Sequence, residues 1–506
     1  MAGPDAVTPV NEKTSLSEVE DAKKVNHIAV EVSHYEPANE EEKALDRRID
    51  LKTDFTLLLI LAIGFILLGI DKTNVGFVAT SSFIEDANIH PNDIPNSLSL
   101  FSATYVPLQP ISAMIGRYVG PKWWVCTLMT VWGSICIAHI GINSTPTFLA
   151  LRLLLGMGES GFTPTAYYYM SLFYPKFSLG FRMGLFSGMY SVAGAFAGLL
   201  AYGLLHLDSS ILKGWQTVFL FEGALTVFVA ALGLLILPTS PGTAWFLTPE
   251  ERAHAVKRMQ RDDSHAGESA EEDTKITLRD VKDVLKDWKK LLIIVFNILS
   301  VLPVTAFTTF LPMVVEGMGY EGVKATLMAV PPFVVGTVGL IIIVYSSDHL
   351  KERSLHTVFG MALGLIGCVV MATSDNQKLR YGFAHVCLAG VFVGGPLVAV
   401  WLASNTPGKA ARSIVLGING WSNLAGVIAG QLFKKKYAPS YNFPLIITMI
   451  LIAVGMAGFC VMRALYMWEN RRRRKVILEW DEREYAEEQN RTDKRGDQKL
   501  TWVYAY

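Results

Sequence analysis

Two charged residues lie in an otherwise apolar stretch of the chain, RLLLGMGESGFTPTAYYYMSLFYP, which runs from Arg152 to Pro175. Arg152 and Glu159 are almost two helical turns apart, so they share a helix face and stand roughly 10 Å apart along its axis. At that separation they do not neutralise each other directly, and each needs another partner, water or a ligand. Charges are expensive inside an apolar helix and are usually functional there, so the pair predicts a binding or proton-transfer site.

The composition indicates a polytopic membrane protein. Of the 506 residues, 51% are hydrophobic and 18% are charged, and the mean hydropathy of +0.33 is too high for an ordinary soluble enzyme. The formal net charge is zero, so no nucleic-acid partner is indicated. There is no Walker phosphate loop, G-x-S-x-G elbow or metal-spaced histidine cluster, so we predict neither an enzyme nor a pump driven by ATP. The five cysteines have irregular spacing and no C-x-x-C motif, which indicates buried thiols rather than disulfides or a metal site.

Apolar stretches of about the 20 residues that a helix needs to cross a bilayer recur from Phe55 onward. A longer polar stretch separates six of them from six more. The predicted spans are 55–77, 94–115, 123–143, 147–169, 183–205, 216–237, 291–312, 325–346, 355–374, 380–402, 411–432 and 444–467.

The span count predicts an all-α membrane protein with twelve transmembrane helices in two pseudo-symmetric six-helix halves. The halves are residues 54–237 and 291–468, joined by a central loop at 238–290. Residues 1–53 are polar and rich in glutamate, which predicts a disordered arm. Residues 469–506 are predicted to form a C-terminal tail.

Lysines and arginines in the loops orient the chain. They gather in the central loop, in RRRRK at 471–475 and in short loops on the same side, which predicts that this side and both termini are cytosolic. KKK at 434–436 falls on the opposite side and does not follow the rule. NST at 143–145 would lie outside and satisfies the acceptor pattern for N-glycosylation, so Asn143 is a predicted glycosylation site.

Three long segments together resemble a known transporter family. They are the segment that begins at Arg152, GWQTVFLFEGALTVFVAALGLLILPTSPGTAWFLTPEER at 214–252 and LPMVVEGMGY at 311–320. They resemble the allantoate permease branch of the major facilitator superfamily, which comprises mainly fungal anion:cation symporters, and the resemblance extends from Leu68 to Arg474. It implies twelve helices, alternating access and import of a small organic anion together with protons. Known substrates of the branch include allantoate, nicotinate, pantothenate and biotin.

The chain departs from the pattern of this branch at several positions. The first span reads IDKTNVG at 70–76 where the branch usually has Leu-Asp-Arg-x-Asn-Ile-Gly, so Asp71 is kept and Lys72 replaces the arginine. The charge is retained, but the planar guanidinium is lost. In the second span Gln109 stands where relatives commonly have a glutamate, so a titratable group is absent there. A loop signature of the superfamily is degraded in IGRYVGPKWW, and its counterpart SSDHLKERS retains Asp348.

Transporters of this fold class bind their cargo near the midplane, between the halves. Arg152 and Gly156 also fit the R-x-x-x-G pattern of the fourth helix in the superfamily. We predict that Lys72 and Arg152 hold the substrate carboxylate and that Glu159, with Asp71 as second choice, exchanges the proton, since burial disfavours an ionised carboxylate. Further predicted substrate-binding residues, for which helix packing is the alternative role, are Asn74, Tyr105, Gln109, Tyr190, Trp401, Asn405 and Asn423.

The function predicted from these features is secondary active import of a small organic carboxylate, such as a vitamin or a nitrogen-source acid, by proton symport. The proton gradient replaces any cofactor, and no metal is expected. The protein is predicted to be a monomer in a lipid bilayer, in the plasma membrane by preference and in a vacuolar or other endomembrane as the alternative. Export of a fungal metabolite, and a transporter-like receptor without transport, remain open as other functions.

Overall fold

Helices form all the regular structure in the part of the chain that the computed structural model describes. That part consists of residues 35–78, 81–90, 93–205, 212–263, 277–316, 322–433, 437, 441–491 and 496–506.

In the described part of the chain, nine α-helices precede the central loop. They are α1 (Glu40–Thr53), α2 (Leu59–Val78), α3 (Phe83–Asp86), α4 (Asp93–Val119), α5 (Pro121–Ala138), α6 (Thr145–Glu159), α7 (Phe162–Ser171), α8 (Lys176–Leu205) and α9 (Gly214–Ile236). A π-helical turn at Asp54–Leu58 joins α1 to α2.

The remaining helices belong to the central loop, the second half and the tail. They are α10 (Pro249–Asp263), α11 (Leu278–Lys286), α12 (Trp288–Glu316), α13 (Gly322–His349), α14 (Ser354–Thr373), α15 (Gln377–Val391), α16 (Gly394–Ser404), α17 (Lys409–Asn419), α18 (Leu424–Leu432), α19 (Asn442–Ile477) and α20 (Glu482–Asn490).

Each of the twelve predicted spans corresponds to a helical segment, and the prediction of an all-α membrane fold is confirmed. Nine helical segments of the described residues are long and apolar enough to cross a membrane. The other three predicted spans correspond to α6 with α7, to α8, and to α17 with α18. Two of these three are interrupted, at Ser160 and Gly161 and by a 3-10 turn at Gly420–Asn423.

The predicted disorder of the N-terminal arm does not extend to its last part. Residues 40–53 form α1, whose N-terminus is capped by Asn39 accepting a hydrogen bond from the Glu42 amide at 2.7 Å. Asp46 of α1 binds Arg258 of α10 at 3.3 Å. This ion pair joins residues that are far apart in the sequence, and it helps to order a segment whose polar composition predicts disorder. Residues 1–34 lie outside the described part of the chain.

The central loop and the tail also contain regular structure. The stretch 238–290 includes α10 and α11, and the last membrane helix, α19, continues as far as Ile477. Beyond α20, residues 496–506 return to the same end of the bundle as α1 and α10, because Trp502 packs under Lys176 of α8 and Lys176 in turn binds Asp262 of α10. Following the loop charges, this end is here termed the cytosolic end.

Helices α8 and α13 join the two halves in their cytosolic portions. A Cβ atom added at Gly184 would meet Val344 at 3.0 Å, and one added at Gly188 would meet Leu340 at 3.4 Å. Small residues on α8 therefore allow α13 to approach closely, as is usual between helices in lipid.

Polar contacts also join the halves at the cytosolic edge of this contact between α8 and α13, which is here termed the seam. Asp348 forms an ion pair with Arg353 and accepts a hydrogen bond from the Phe181 amide of α8 at 2.5 Å. The guanidinium of Arg353 donates to the carbonyl oxygen of Lys176 at 3.0 Å. Asp348, the retained acid of the loop signature, thus links the halves, and the structure represents a state that is closed on its cytosolic side.

Asn143 lies in an exposed loop between a 3-10 turn at His139–Gly141 and the start of α6. Its position leaves the amide accessible, so we expect the mature protein to carry an N-linked glycan there. Glycosidase treatment should increase the gel mobility of the wild type but not of Asn143→Gln or Thr145→Ala, which both destroy the acceptor pattern. A wild-type band that does not shift would contradict the prediction.

Candidate functional site

A cavity of about 150 Å³ lies between the two halves, bounded by α2, α4, α7 and α8 on one side and by α12, Phe392, α16, α17 and the 3-10 turn at Gly420–Asn423 on the other. Five of the predicted substrate-binding residues line it: Lys72, Tyr105, Gln109, Tyr190 and Asn423. These side chains come from both halves. A ligand in the cavity would therefore contact both halves of the protein.

Lys72 supplies the positive charge of the cavity. Its Nζ lies 3.8 Å from the centroid of the Tyr105 ring and 5.8 Å from that of Phe101. Among the described residues of the cavity wall, Lys72 is the only one with a charged side chain. A cation held over aromatic rings in a largely apolar wall favours a small anion with an apolar body.

Gln109 brings an unsatisfied amide to the cavity. Its side chain is fully buried, and neither Nε2 nor Oε1 has a hydrogen-bond partner in the described part of the protein. Gly420 makes room for this side chain, since a Cβ atom there would lie 1.7 Å from Oε1. An unpaired buried amide costs about 1 to 3 kcal/mol, so it is available to a polar ligand or to water.

Two asparagines of the second half also line the cavity and are missing from the predicted set. Asn297 of α12 donates from Nδ2 to Oδ1 of Asn419 at 2.8 Å, and Ser300 donates to Oδ1 of Asn297 at 2.8 Å. Their occurrence in apolar spans was the available signal, although such residues more often serve helix packing. The other polar residues of the wall had no comparable signal in the sequence: Thr163, Tyr167, Ser187, Thr305 and Ser422.

A second polar cluster is buried within the first half. Asn74 donates from Nδ2 to Oε2 of Glu222 at 2.7 Å and accepts on Oδ1 from Nη2 of Arg152 at 3.1 Å. All three side chains are at most 2% exposed. Asn74 and Arg152 are therefore engaged with protein groups in this state and are not part of the cavity wall, in contrast to their predicted contact with substrate.

Asp71 joins this cluster from the same helix, α2. The thiol of Cys136 donates to its Oδ1 at 3.5 Å, and ligand atoms of Asp71, Cys136 and Glu222 lie within 4.8 Å of one another. Oδ2 of Asp71 and Oε1 of Glu222 have no hydrogen-bond partner among the described residues. The Arg152 guanidinium interacts electrostatically with both carboxyl groups. Glu222 is not among the site residues predicted from the sequence.

Among the buried acids described above, Glu159 has the fewest hydrogen-bond partners. It is fully buried, and neither of its carboxyl oxygens has a hydrogen-bond partner in the described chain. It interacts electrostatically with Asp71, Lys72 and Arg152.

In the described part of the first half, the buried carboxyl groups of Asp71, Glu159 and Glu222 therefore lie with the buried Arg152 and the half-buried Lys72. With Asp71, Glu159 and Glu222 ionised, their charge exceeds that of Lys72 and Arg152 by one. Uncompensated charge costs several kcal/mol in such surroundings, so neutrality requires at least one bound proton. A proton on one of these carboxyl groups would balance the charge beside a cavity that contains Lys72.

The structure places Trp401 and Asn405 outside the cavity wall, in contrast to their predicted contact with substrate. Trp401 is fully buried and donates from Nε1 to the carbonyl oxygen of Ala505 at 2.9 Å. Oδ1 of Asn405 accepts a hydrogen bond from the backbone amide of Ala505 at 2.8 Å. Both lie near the cytosolic end of α16, where the C-terminal tail covers them.

Comparison with known proteins identifies relatives over most of the chain. Residues 61–430 match the family described as Major Facilitator Superfamily. The chain is 31% identical to the "Major facilitator-type transporter hxnP" of Emericella nidulans, over 86% of this chain and 88% of that protein. It is 26% identical to the "High-affinity nicotinic acid transporter" of Saccharomyces cerevisiae, over 86% of this chain and 80% of that protein.

Solved structures share the fold. The transporter FucP in the outward conformation superposes with a TM-score of 0.60 at 13% sequence identity, covering 80% of this chain and 98% of that chain. At this level of identity the similarity concerns the architecture of two six-helix halves.

Proposed function

Because the chain belongs to the Major Facilitator Superfamily, we propose that it imports a small organic anion together with a proton through the cavity between its halves. Alternating access about a site at the interface of the halves is the mode of transport that this architecture supports. The assignment to the allantoate permease branch, suggested by the sequence motifs, is part of the proposal.

The position of Lys72 supports an anionic substrate most directly. It is the cation of the cavity wall, and its ammonium group lies against the Tyr105 ring. A carboxylate that approaches this wall would find the ammonium on one side and the unpaired amide of Gln109 close by in the same cavity. A charged hydrogen bond in a site sheltered from water is strong enough to select anions over neutral analogues.

Aromatic side chains support a flat or heterocyclic acid. Phe65, Tyr105, Tyr190 and Phe392 contribute to the wall from both halves, and rings of this kind can stack on an aromatic substrate. The related protein of S. cerevisiae is named for nicotinic acid, which is an aromatic monocarboxylate. Aromatic and heteroaromatic monocarboxylates are therefore the first substrates to test.

The buried acids of the first half supply the proton coupling in this proposal. Glu159 is the preferred carrier, since its carboxyl group has the fewest partners, and Asp71 remains the second choice. A bound monoanion would add a negative charge near Lys72, so proton uptake by the cluster would restore neutrality. Coupling arises because the loaded, neutral site favours closure more than the charged one does.

Arg152 takes an indirect role in this mechanism. Its guanidinium holds Asn74, which is on the same helix as Lys72 and also binds Glu222. A change in charge at the acids would alter the contacts of α2, and Lys72 would move with that helix. Arg152 thereby links the proton site to the anion site.

Uptake driven by the pH gradient tests the proposal. Cells of a transport-deficient yeast that express the protein should accumulate labelled nicotinate or a related carboxylate faster as the external pH falls. A monoanion with one proton carries no net charge, so a protonophore should abolish accumulation while a potential clamp with potassium and valinomycin should change it little.

Two results would contradict it. If the clamp stops uptake while the pH gradient persists, the one-to-one stoichiometry is wrong. If no carboxylate accumulates and cells instead lose a metabolite faster, the protein is an exporter. Cells that carry the empty vector provide the control.

A further inference from the structure

The C-terminal segment 496–506 lies in a groove at the cytosolic end of the second half. Two of its aromatic residues are buried there, Trp502 with 6% and Tyr504 with 3% of their surface exposed. A polar segment outside the bundle is ordered only where specific contacts hold it.

Tyr504 is held by stacking of its ring and by hydrogen bonds of its backbone to a side chain of α19. Its ring stacks on that of Tyr466 in α19 with a centroid distance of 4.4 Å and an interplanar angle of 8°. Its amide donates to Oδ1 of Asn470 at 2.9 Å, and its carbonyl oxygen accepts from Nδ2 of the same side chain at 2.8 Å. Asn470 thus binds the tail backbone as a neighbouring strand would.

Arg473, one turn further along α19, binds the tail backbone at three points. Nη1 donates to the carbonyl oxygens of Lys499 at 3.1 Å and Trp502 at 2.9 Å, and Nη2 donates to that of Asp497 at 3.0 Å. Arg473 itself is 6% exposed. A buried guanidinium that is directed at main-chain carbonyls forms a receptor for a peptide segment in one register.

An ion pair fixes the start of the segment. Nζ of Lys290 lies 2.8 Å from Oδ2 of Asp497 and 2.8 Å from Oδ2 of Asp287, just ahead of α12. Although burial alone would raise the pKa of Asp287, the neighbouring Lys290 lowers it, so this carboxylate stays charged at cytosolic pH. The groove therefore presents a fixed charge pattern to Asp497.

The end of the segment reaches the seam between the halves. The carbonyl oxygen of Tyr506 accepts a hydrogen bond from the Arg353 amide at 2.6 Å, and the Arg353 guanidinium binds the carbonyl oxygen of Lys176 in the first half. Nζ of Lys176 lies over the ring of Trp502, 5.0 Å from its centroid. The tail thus contacts both halves at the point where they meet.

We propose that this groove is a binding site for the C-terminal segment of the chain itself, and that docking of the segment holds the cytosolic side closed. Opening this side must separate Lys176 from Arg353, which also breaks the contact of Trp502 with Lys176 across the seam, while Tyr506 stays bound to Arg353 on the second half. A ligand that binds one state in preference shifts the equilibrium toward it by its differential affinity. The proposal concerns the cytosolic seam and is independent of the transported substrate.

Cleavage at Lys499 reports whether the segment is docked. Lys499 is 2% exposed, so trypsin should release residues 500–506 slowly from the full-length wild type in membranes opened to the cytosolic side. Arg473→Ala and Trp502→Ala should be cleaved at least about tenfold faster, since each removes contacts that involve a charged donor or a buried ring. Arg472→Ala is the matched control, because Arg472 is exposed and pairs with Glu469.

A cysteine at the seam reports whether docking keeps it closed. Val344 is fully buried against Gly184, so a Val344→Cys reporter in a Cys460→Ser background should react with an impermeant maleimide from the cytosolic side only when the halves separate. Reaction should be several-fold faster in combination with Arg473→Ala or Trp502→Ala than with Arg472→Ala.

Each readout can overturn one part of the proposal. Equal cleavage at Lys499 in wild type, Arg473→Ala and Trp502→Ala would show that the groove is not the binding site. Faster cleavage with an unchanged rate of reporter modification would show that the segment binds without controlling the seam. The Trp502→Ala variant changes only the tail, so it separates loss of docking from damage to α19.

Discussion

Replacing Glu159 with glutamine is expected to abolish net uptake driven by the pH gradient while exchange of internal for external substrate continues. The amide has nearly the size of the carboxyl group but cannot bind and release a proton. Because Glu159 is fully buried and its oxygens have no hydrogen-bond partner among the described residues, the amide replaces no existing contact. Net uptake should fall at least about tenfold, which corresponds to about 1.4 kcal/mol.

Glu222→Gln is the matched control for this variant. Glu222 belongs to the same group of buried acids, but its Oε2 accepts a hydrogen bond from Asn74, which a glutamine oxygen can also accept. It should therefore lose less net uptake than Glu159→Gln. Initial rates of net uptake and of exchange in the same vesicles separate the two effects, and wild-type net uptake in Glu159→Gln would remove this residue from the coupling mechanism.

Replacing Lys72 with methionine should raise the substrate concentration at half-maximal uptake by roughly 30-fold or more. Loss of one partner of a buried charge pair typically costs about 2 to 5 kcal/mol, and 2 kcal/mol corresponds to about 30-fold. Methionine keeps the length of the side chain and its packing against Tyr105, so the change isolates the charge.

Two further variants serve as controls for Lys72→Met. Lys72→Arg keeps a cation in the cavity and should retain most of the affinity. Lys122→Met removes a lysine that also lies near an aromatic ring, Trp123, but at the cytosolic start of α5, and it should leave the half-saturation concentration unchanged. If Lys72→Met transports with the wild-type half-saturation concentration, the substrate is not recognised through this cation.

The sequence by itself determined the architecture. Each predicted span corresponds to a helical segment because a membrane helix must be about 20 residues long and apolar, and a pattern of that length is visible locally. Of the charges singled out in the first and fourth spans, Asp71, Arg152 and Glu159 are buried in the structure and Lys72 is half-buried at the cavity. Their cost in an apolar helix predicted that they would have partners or a function.

The N-terminal arm shows that amino-acid composition alone does not predict whether a segment is ordered. Its last part is as polar as a disordered segment, and disorder was the prediction. Ion pairs such as Asp46 with Arg258 join residues that are far apart in the sequence, and only the folded chain brings them together.

Only the tertiary structure decided which polar residues meet. Trp401 and Asn405 bind Ala505 of the tail, while Asn297 and Asn419 face the cavity. A helix that is apolar on nearly all sides has no dominant hydrophobic stripe, so its sequence does not fix its rotation about its own axis.

The buried cluster illustrates the same limit for chemistry. Asn74 and Glu222, from the first and sixth membrane helices, form a hydrogen bond over a separation of 148 residues. Local sequence specified that each would be buried and in need of a partner, since an unpaired polar group is costly in an apolar interior. The packing of the helices then selected that partner, because helix neighbours are set by the complementarity of whole surfaces rather than by any short segment.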